Sequence, residues 1–294
     1  MKVGIYGQLY HWDSGVYIKE LFDILEEENI EVCIEKNFLD LIHEHKISQK
    51  NYKHFSTFKE LDDSYDLFFS IGGDGTILKS INYIQDLNIP ILGINTGRLG
   101  FLATIQKEEI KRSISSILHK KYEISERTVL CIETKPKSEE IGEINFALNE
   151  IAVSRKNTTS MITVETWLND KYLTSYWADG LIVSTPTGST GYSLSCGGPV
   201  IVPDTKALVI TPIAPHNLNA RPLVIKDDTE IKLKVSGRED FFLVSMDSRI
   251  ASLSNEVEIS IKIAPFTIKM VEIEKDSFLE TLRKKLLWGE DKRN

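Results

Sequence analysis

The chain has 294 residues, which is long for one compact domain and predicts two. Its formal net charge of -8 and sequence pI near 5.4 exclude the broad basic surface that nucleic-acid binding requires. No apolar run is long enough for a membrane span, and the first residues read as a strand rather than a signal peptide. We therefore expect a cytoplasmic protein with neither a nucleic-acid nor a membrane partner.

The cysteines point to the same setting. Cys33, Cys131 and Cys196 lie far apart in the sequence and form no CxxC pair. An odd number of dispersed cysteines favours neither a disulfide framework nor a zinc site. This usage is typical of a protein in a reducing compartment.

The first part of the chain alternates strand and helix patterns. Apolar runs predict strands at 3–6, 31–35 and 66–71, and a periodic apolar pattern predicts a helix at 16–28. This alternation is typical of a parallel α/β sheet. We therefore predict a Rossmann-like α/β domain at 1–122.

A glycine-rich turn with one acidic residue, Gly72–Thr76 (GGDGT), follows the strand predicted to end at Ile71 and precedes a helical pattern. Glycines at such a place let backbone N–H groups approach a phosphate at the positive end of the helix. A carboxylate beside phosphates is unfavourable unless it holds a metal ion or accepts a proton, so Asp74 indicates phosphoryl transfer. The alternative is an ordinary tight turn, which rarely has this strand-before, helix-after context.

A second loop, at 95–102 with the sequence NTGRLGFL, follows the strand predicted at 89–94. Ligands of open α/β sheets bind beyond the carboxyl ends of the strands. We therefore expect this loop and the GGDGT turn to line the same crevice. Periodic isoleucines predict one further helix at 110–118, with its apolar stripe in the core.

From about Tyr122 onward the pattern changes to short β-rich runs, and Asn169-Asp170 between two of them predicts a hairpin turn. These predicted strands lie at 128–133, 161–168, 171–176 and 230–235. We therefore predict a β-rich second domain at 123–267.

The last segment, 268–294, contains an amphipathic helix pattern. Its apolar positions are Phe278, Leu279, Leu282, Leu286 and Leu287, and its polar side carries Arg283, Lys284 and Lys285. We predict that this helix packs back on the first domain. A basic amphipathic helix could instead lie on a membrane, although only a few charges support that.

The run 179–199, DGLIVSTPTGSTGYSLSCGGP, packs hydroxyls and glycines around Tyr192. Hydroxyls can bond ribose or phosphate, glycines allow close approach, and an aromatic ring can stack on a base or a nicotinamide. The alternative is a plain Ser/Thr/Gly linker, which Tyr192 and Leu194 disfavour. Asn149-Glu150, beside an apolar run, reads on its own as a polar pair at a strand edge.

Taken in order, the GGDGT turn, the loop at 95–102, Asn149-Glu150 and the run at 179–199 resemble the motifs of the NAD kinase family. GGDGT alone is shared with diacylglycerol and sphingosine kinases, so the run at 179–199 is the discriminating part. The resemblance implies transfer of a phosphoryl group from ATP, with magnesium, to the 2′-hydroxyl of the adenosine ribose of NAD. The products are NADP and ADP. It also implies a homo-oligomer, either a dimer or a tetramer.

The resemblance further implies roles for single residues. Asp74 is the implied catalytic base, because a sugar hydroxyl is a poor nucleophile until a carboxylate accepts its proton. Lys79 resembles a phosphate contact, with an ordinary solvated lysine as the alternative. No metal ligand is assigned. The implied nucleotide-binding residues are Gly72, Gly73, Asp74, Gly75, Lys79, Asn149, Glu150, Asp179, Thr187, Thr190, Gly191, Tyr192, Ser193, Leu194 and Ser195.

Three positions depart from the family's pattern. Trp177 stands where many members carry arginine, Gly191 replaces a common alanine, and Asp247-Ser248-Arg249 replaces Asp-Gly-Gln. The first change removes a cationic contact to a phosphate, and the last introduces one. We expect these changes to alter individual ligand contacts rather than the activity, and Trp177 could instead stack on a ring.

Two other functions share part of this pattern. A lipid kinase of the diacylglycerol or sphingosine type would keep Asp74 and its glycines without the run at 179–199. An NAD sensor that has lost turnover would keep that run, and the intact Asp74 argues against it.

Overall fold

The computed structural model describes residues 1–8, 14–103, 105–157, 160–273 and 277–288. The chain forms two compact units, the first of Met1–Glu126 with Ile268–Asn294 and the second of Arg127–Thr267. The C-terminal segment therefore belongs to the same unit as the N-terminus. Residues 274–276 and 289–294 of the predicted tail lie outside the described residues.

The described residues form twenty strands and six α-helices. The strands are β1 (Lys2–Gly7), β2 (Glu31–Glu35), β3 (Lys53–Phe55), β4 (Leu67–Gly72), β5 (Ile91–Asn95), β6 (Ile105–Gln106), β7 (Glu123–Arg127), β8 (Leu130–Lys135), β9 (Phe146–Ala147), β10 (Glu150–Arg155), β11 (Ile162–Leu168), β12 (Lys171–Ala178), β13 (Gly180–Ser184), β14 (Ala207–Ile213), β15 (Leu223–Lys226), β16 (Ile231–Gly237), β17 (Phe241–Met246), β18 (Arg249–Ser254), β19 (Glu258–Ile263) and β20 (Ile268–Glu272). The helices are α1 (Ser14–Glu27), α2 (Lys36–Glu44), α3 (Asp74–Ile84), α4 (Ile110–Leu118), α5 (Tyr192–Ser195) and α6 (Ser277–Leu286).

The first unit is built on one sheet with the strand order β3-β2-β1-β4-β5-β20-β7, and β6 adds to β5. The pairs from β3 to β20 are parallel, as is the pair of β5 with β6. The chain order reverses between β1 and β4, which is where open α/β sheets form a crevice at the carboxyl ends of their strands. The predicted parallel α/β domain is confirmed.

The core of this unit explains the apolar runs of its strands. Every residue of β4 is buried, as expected for a parallel strand that is covered on both faces. Helices α1, α2 and α4 contribute Leu21, Ile42 and Ile114 to one cluster with Ile5 and Phe69 of the sheet. The sheet is therefore held rigidly beneath the loops at its carboxyl edge.

The second unit consists of two antiparallel sheets of six strands, in the orders β15-β14-β13-β10-β17-β18 and β12-β11-β16-β19-β8-β9. They share one core, to which Val153 and Val244 come from the first sheet and Val164 and Ile259 from the second. Burial alternates along β16, the period of a strand with one face on a core. The predicted β-rich domain is confirmed.

Two-residue hairpins join strands in this unit. Asn169 and Asp170 connect β11 to β12 with φ values of 48° and 63°, which confirms the predicted turn. Asp247 and Ser248 connect β17 to β18 in the same way, and Asp247 has a φ of 52°. The sequence analysis noted Asp247 only as part of a departure from a family pattern.

Helix α6 packs on the first unit, as predicted. The ring of Phe278 lies 6.2 Å from that of Phe101, and Leu282 and Thr281 are buried. Two predicted apolar positions, Leu279 and Leu287, are instead about half exposed (49% and 55%). Along the described ranges, no helix is both long and apolar enough to cross a bilayer.

Candidate active site

The GGDGT turn joins β4 to α3. Gly72 ends the strand with a φ of 151°, and a Cβ at this position would lie 2.2 Å from Thr76 Oγ1. A residue with a side chain is therefore both strained and crowded there. Gly73 caps α3 and Asp74 is its first residue. A Cβ built on Gly73 or Gly75 would have no described atom within 4 Å, so their surroundings are open.

A cavity of about 250 Å³ opens at this end of α3. The N–H groups of a helix N-terminus favour an anion, and Arg98 adds a positive charge to the lining. Thr76 Oγ1 is buried, and no described group hydrogen-bonds to it. The expectation that both loops line one crevice is confirmed. The cavity is lined by Gly73, Gly75, Thr76, Asn95, Thr96, Gly97 and Arg98.

The carboxylate of Asp74 holds the second loop in place. Oδ2 accepts the backbone N–H of Phe101 at 2.8 Å, and Oδ1 accepts those of Leu102 at 2.9 Å and Ala103 at 3.0 Å. A Cβ on Gly100 would come within 1.9 Å of Oδ1, so only glycine permits this approach. The backbone therefore fixes the position of the predicted base.

The two oxygens of Asp74 differ in how many further hydrogen bonds they can accept. A carboxylate offers about two lone pairs on each oxygen, and Oδ1 already accepts two hydrogen bonds. Oδ2 accepts one, and Lys285 Nζ lies 3.9 Å from it. The side chain is 29% exposed, and Oδ2 is the oxygen with more capacity left for a further hydrogen bond.

In the second unit, Asn149 and Glu150 at the start of β10 present unused acceptors. Asn149 Oδ1, Glu150 Oε2 and Thr187 Oγ1 are buried, and within the part of the chain that the structure describes none has a hydrogen-bond partner. Leaving such atoms unpaired costs free energy. A ligand with hydroxyl or amino donors would satisfy them. A Cβ on Gly191 would lie 3.1 Å from Oε2, so glycine gives this acceptor more room than alanine would.

The pKa of the Glu150 carboxyl group lies well above its usual value. Burial, and then the nearby carboxylate of Asp247, raise its pKa from 4.5 to about 7, while the backbone N–H of Tyr192 opposes the rise. Near neutral pH this group is therefore poised between its protonated and ionised forms.

Asp247 positions the Asn149-Glu150 pair. Its carboxylate accepts the backbone N–H groups of Leu148 at 2.9 Å, Asn149 at 2.8 Å and Glu150 at 3.1 Å. Burial raises the pKa of this carboxyl group, and the three hydrogen bonds oppose the rise. The sequence analysis missed this role. The local signal was an aspartate between two strand patterns, but its partners lie almost a hundred residues away.

The run at 179–199 is not one loop. It contains β13, a 3-10 turn at Thr187–Thr190 and the short helix α5. Several of its hydroxyls bond within the fold rather than facing a ligand. These are Thr185, which donates to the Leu148 carbonyl at 2.6 Å; Ser189, which donates to the Pro186 carbonyl at 2.6 Å; Ser193, which bonds Thr211 Oγ1 at 2.8 Å; and Thr190, which donates to the Thr187 carbonyl at 3.2 Å.

The predicted binding residues of the run therefore fall into two groups: side chains that are buried in the fold and side chains that are exposed. The hydroxyl of Ser193 is fully buried in its bond to the neighbouring strand, so its side chain supports the fold. Tyr192, with 46% exposure, presents its ring, and Ser195 is exposed, while Leu194 is half-buried. Tyr192 therefore remains the aromatic surface on which a ring can stack.

Three further residues that the sequence singled out are Asp179, Trp177 and Lys79. Asp179 Oδ2 forms an ion pair with Arg155 Nη2 at 2.9 Å. Trp177 is 52% exposed, and its ring centre lies 5.7 Å from that of His216. Lys79 is half-buried on α3, just over one turn after Asp74.

The guanidinium of Arg249, which the sequence offers as a possible cationic contact to a phosphate, is bonded within the second unit. It donates to the carbonyls of Ile144, at 3.0 Å, and Phe146, and lies 5.3 Å from the Phe146 ring centre. Burial lowers the pKa of this group. Arg249 therefore ties the β17–β18 hairpin to the segment that precedes β10.

Comparisons with known proteins cover nearly the whole chain. Family models described as the ATP-NAD kinase N-terminal domain and the ATP-NAD kinase C-terminal domain match residues 3–122 and 148–273. The NAD kinase of Christiangramia forsetii is 70% identical over 294 residues, which cover 100% of both chains.

Two solved structures are also similar. An NAD kinase from Archaeoglobus fulgidus in complex with ATP has a TM-score of 0.73 and 25% identity, over 98% of this chain and 99% of that one. The yeast NADH kinase complexed with NADH has a TM-score of 0.87, over 99% of this chain and 88% of that one. Its identity of 22% shows a shared fold alone.

Replacing Glu150 by Gln should stabilise the protein at pH 8 and change little at pH 4. Because the folded state raises the pKa of Glu150 to about 7, folded protein binds more protons than unfolded chain between pH 4.5 and 7. The contribution of Glu150 to wild-type stability therefore falls as pH rises through this range, by on the order of 3 kcal/mol. Denaturant unfolding at both pH values measures the difference. The exposed Glu239→Gln serves as control, and an equal effect of Glu150→Gln at both pH values would contradict the assignment.

Replacing Asp247 by Asn should lower the free energy of unfolding by about 2 kcal/mol, because one amide oxygen must serve three N–H donors. Asparagine tolerates the positive φ of this position, so backbone strain does not confuse the result. Denaturant unfolding at pH 7 measures the effect. Ser248→Ala, in the same hairpin, should stay within about 0.5 kcal/mol of wild type; equal losses from both would remove the special role of Asp247.

Proposed function

Because this chain belongs to the NAD kinase family, we propose that its site transfers the γ-phosphoryl group of ATP to the 2′-hydroxyl of the adenosine ribose of NAD. The products are NADP and ADP. The protein is accordingly a phosphotransferase that phosphorylates NAD. The observation that supports the proposed chemistry is a fixed carboxylate, Asp74, with spare acceptor capacity beside an anion-binding helix N-terminus.

The first unit takes the donor. Its cavity at the start of α3 combines helix N–H groups, Arg98 and the unused hydroxyl of Thr76, which suit phosphate oxygens. Lys79 is the further phosphate contact of this proposal. No three His, Cys, Asp or Glu side chains among the described residues lie close enough to hold a metal ion. We propose that magnesium enters as part of the ATP complex, held mainly by phosphates and water.

Asp74 Oδ2 acts as the base. It accepts the proton of the 2′-hydroxyl while the bond from that oxygen to the γ-phosphorus forms. The bond from the γ-phosphorus to the β,γ-bridging oxygen breaks, and its electrons leave with ADP. The backbone N–H groups of 101–103 hold the carboxylate still during this transfer.

The second unit takes NAD. Asn149 Oδ1, Glu150 Oε2 and Thr187 Oγ1 accept hydrogen bonds from ribose hydroxyls or an amino group, and Tyr192 offers its ring to a base. Asp179 contributes a carboxylate beside Arg155. The remaining nucleotide-binding residues, which shape the two sites, are Gly72, Gly73, Gly75, Thr190, Gly191, Ser193, Leu194 and Ser195.

Further expectations concern the state of the protein in the cell. We propose a cytoplasmic homo-oligomer, a dimer or a tetramer, without nucleic-acid or membrane partners. The net charge of -8 supports the first exclusion, and family resemblance supports the oligomer. Light scattering coupled to size-exclusion chromatography measures the subunit number.

Asp74→Asn should lower NADP formation about 10²- to 10⁴-fold, because it removes the proton acceptor and leaves one amide oxygen to serve the three N–H donors of 101–103. NAD binding, which this proposal assigns to the second unit, should stay unchanged. NADP formation from NAD, ATP and magnesium measures turnover, and calorimetry measures NAD binding. Asp86→Asn, an exposed change just after α3, is the matched control.

The outcomes separate the rival functions. Full turnover by Asp74→Asn would show that Asp74 is not the catalytic base. Phosphorylation of diacylglycerol without NADP formation by wild type would indicate a lipid kinase, and NAD binding without any product would indicate a sensor.

A further inference from the structure

Helix α6 reaches the loop that holds Asp74. Its Phe278 packs against Phe101, the ring centres being 6.2 Å apart, and Leu282 is buried. The backbone N–H of Phe101 is itself a donor to Asp74. The last described helix therefore packs against the loop whose backbone holds the predicted base.

Two adjacent lysines of α6 have different surroundings. Lys284 Nζ pairs with Glu280 Oε1 of the same helix at 2.6 Å. Lys285 Nζ lies 3.9 Å from Asp74 Oδ2 and 4.8 Å from the ring centre of Phe101. The fold thus directs Lys285 to the base, while Lys284 forms an ion pair within its own helix.

The distance between Lys285 Nζ and Asp74 Oδ2 shows whether the ammonium group can still donate hydrogen bonds to another partner. At 3.9 Å the ammonium is too far for a hydrogen bond to the carboxylate, and the side chain is 37% exposed. An exposed ion pair of this kind contributes little to stability. Among the described residues Lys285 Nζ donates no hydrogen bond, so the N–H donors that do not face the ring are available to an anion.

We propose that Lys285 binds the oxygens of the phosphoryl group that is transferred, an inference that rests on the proposed kinase function. A phosphate approaching Asp74 meets the repulsion of its carboxylate. An ammonium beside Oδ2 offsets that repulsion and stabilises the charge on the phosphoryl oxygens as the group moves from ATP to the ribose hydroxyl. The proton still goes to Asp74, and Lys285 keeps its own.

The test compares Lys285→Met, Lys285→Arg and Lys284→Met, with NADP formation measured over a range of ATP and NAD concentrations. Methionine keeps the apolar stem and removes the charge. Lys285→Met should lower kcat/KM for ATP about 10²-fold, and KM for NAD should stay within about twofold of wild type. Lys285→Arg should recover part of the loss, and Lys284→Met should match wild type.

Each other outcome overturns the inference. Equal kinetics of Lys285→Met and Lys284→Met would show that the charge beside Asp74 has no role. A rise of KM for NAD alone would place Lys285 at the acceptor, and a lowered melting temperature with uniform kinetic losses would make it structural. If wild type forms no NADP from NAD and ATP, the proposed function fails before any variant is compared.

Discussion

In each unit, one aspartate carboxylate accepts three consecutive backbone N–H groups. Asp74 holds those of 101–103, and Asp247 holds those of 148–150. Hydrogen bonds from N–H groups to a charged acceptor are stronger than neutral ones. One carboxylate therefore fixes the loop at 101–103, and the other fixes the bend that leads into β10. The geometry of both sites depends on these two contacts.

The two carboxylates have opposite consequences for their surroundings. Asp74 keeps one oxygen partly free and exposed, which suits proton transfer. Asp247 holds the backbone of 148–150 in position. Burial, and then the charge of Asp247, raise the pKa of Glu150 to about 7. The second unit therefore holds an unfavourable electrostatic arrangement, and among the described residues Asn149 Oδ1, Glu150 Oε2 and Thr187 Oγ1 are buried without a hydrogen-bond partner. A ligand that supplies hydroxyl donors relieves part of this cost, which couples binding to stability.

The departures from the family pattern have local explanations. Arg249 is bonded to backbone carbonyls and stacked on Phe146, so its charge supports the loop before β10. Gly191 leaves space beside Glu150 Oε2. Trp177 pairs with His216 and keeps half of its surface exposed.

The sequence by itself determined the two kinds of domain, several of the strands and helices, and the family; it did not show α2 or strands such as β14 and β17. The features that it determined follow from local patterns: apolar runs and their periods, glycines at a strand end, and the run at 179–199. Only the tertiary structure decided which side chains serve the site. Ser193 points inwards, Arg249 supports a loop, and Asp247 and Lys285 reach residues far away in the sequence. A hydroxyl or a charge has the same local pattern whether it faces a neighbouring strand or a ligand, and only packing between distant segments fixes its direction.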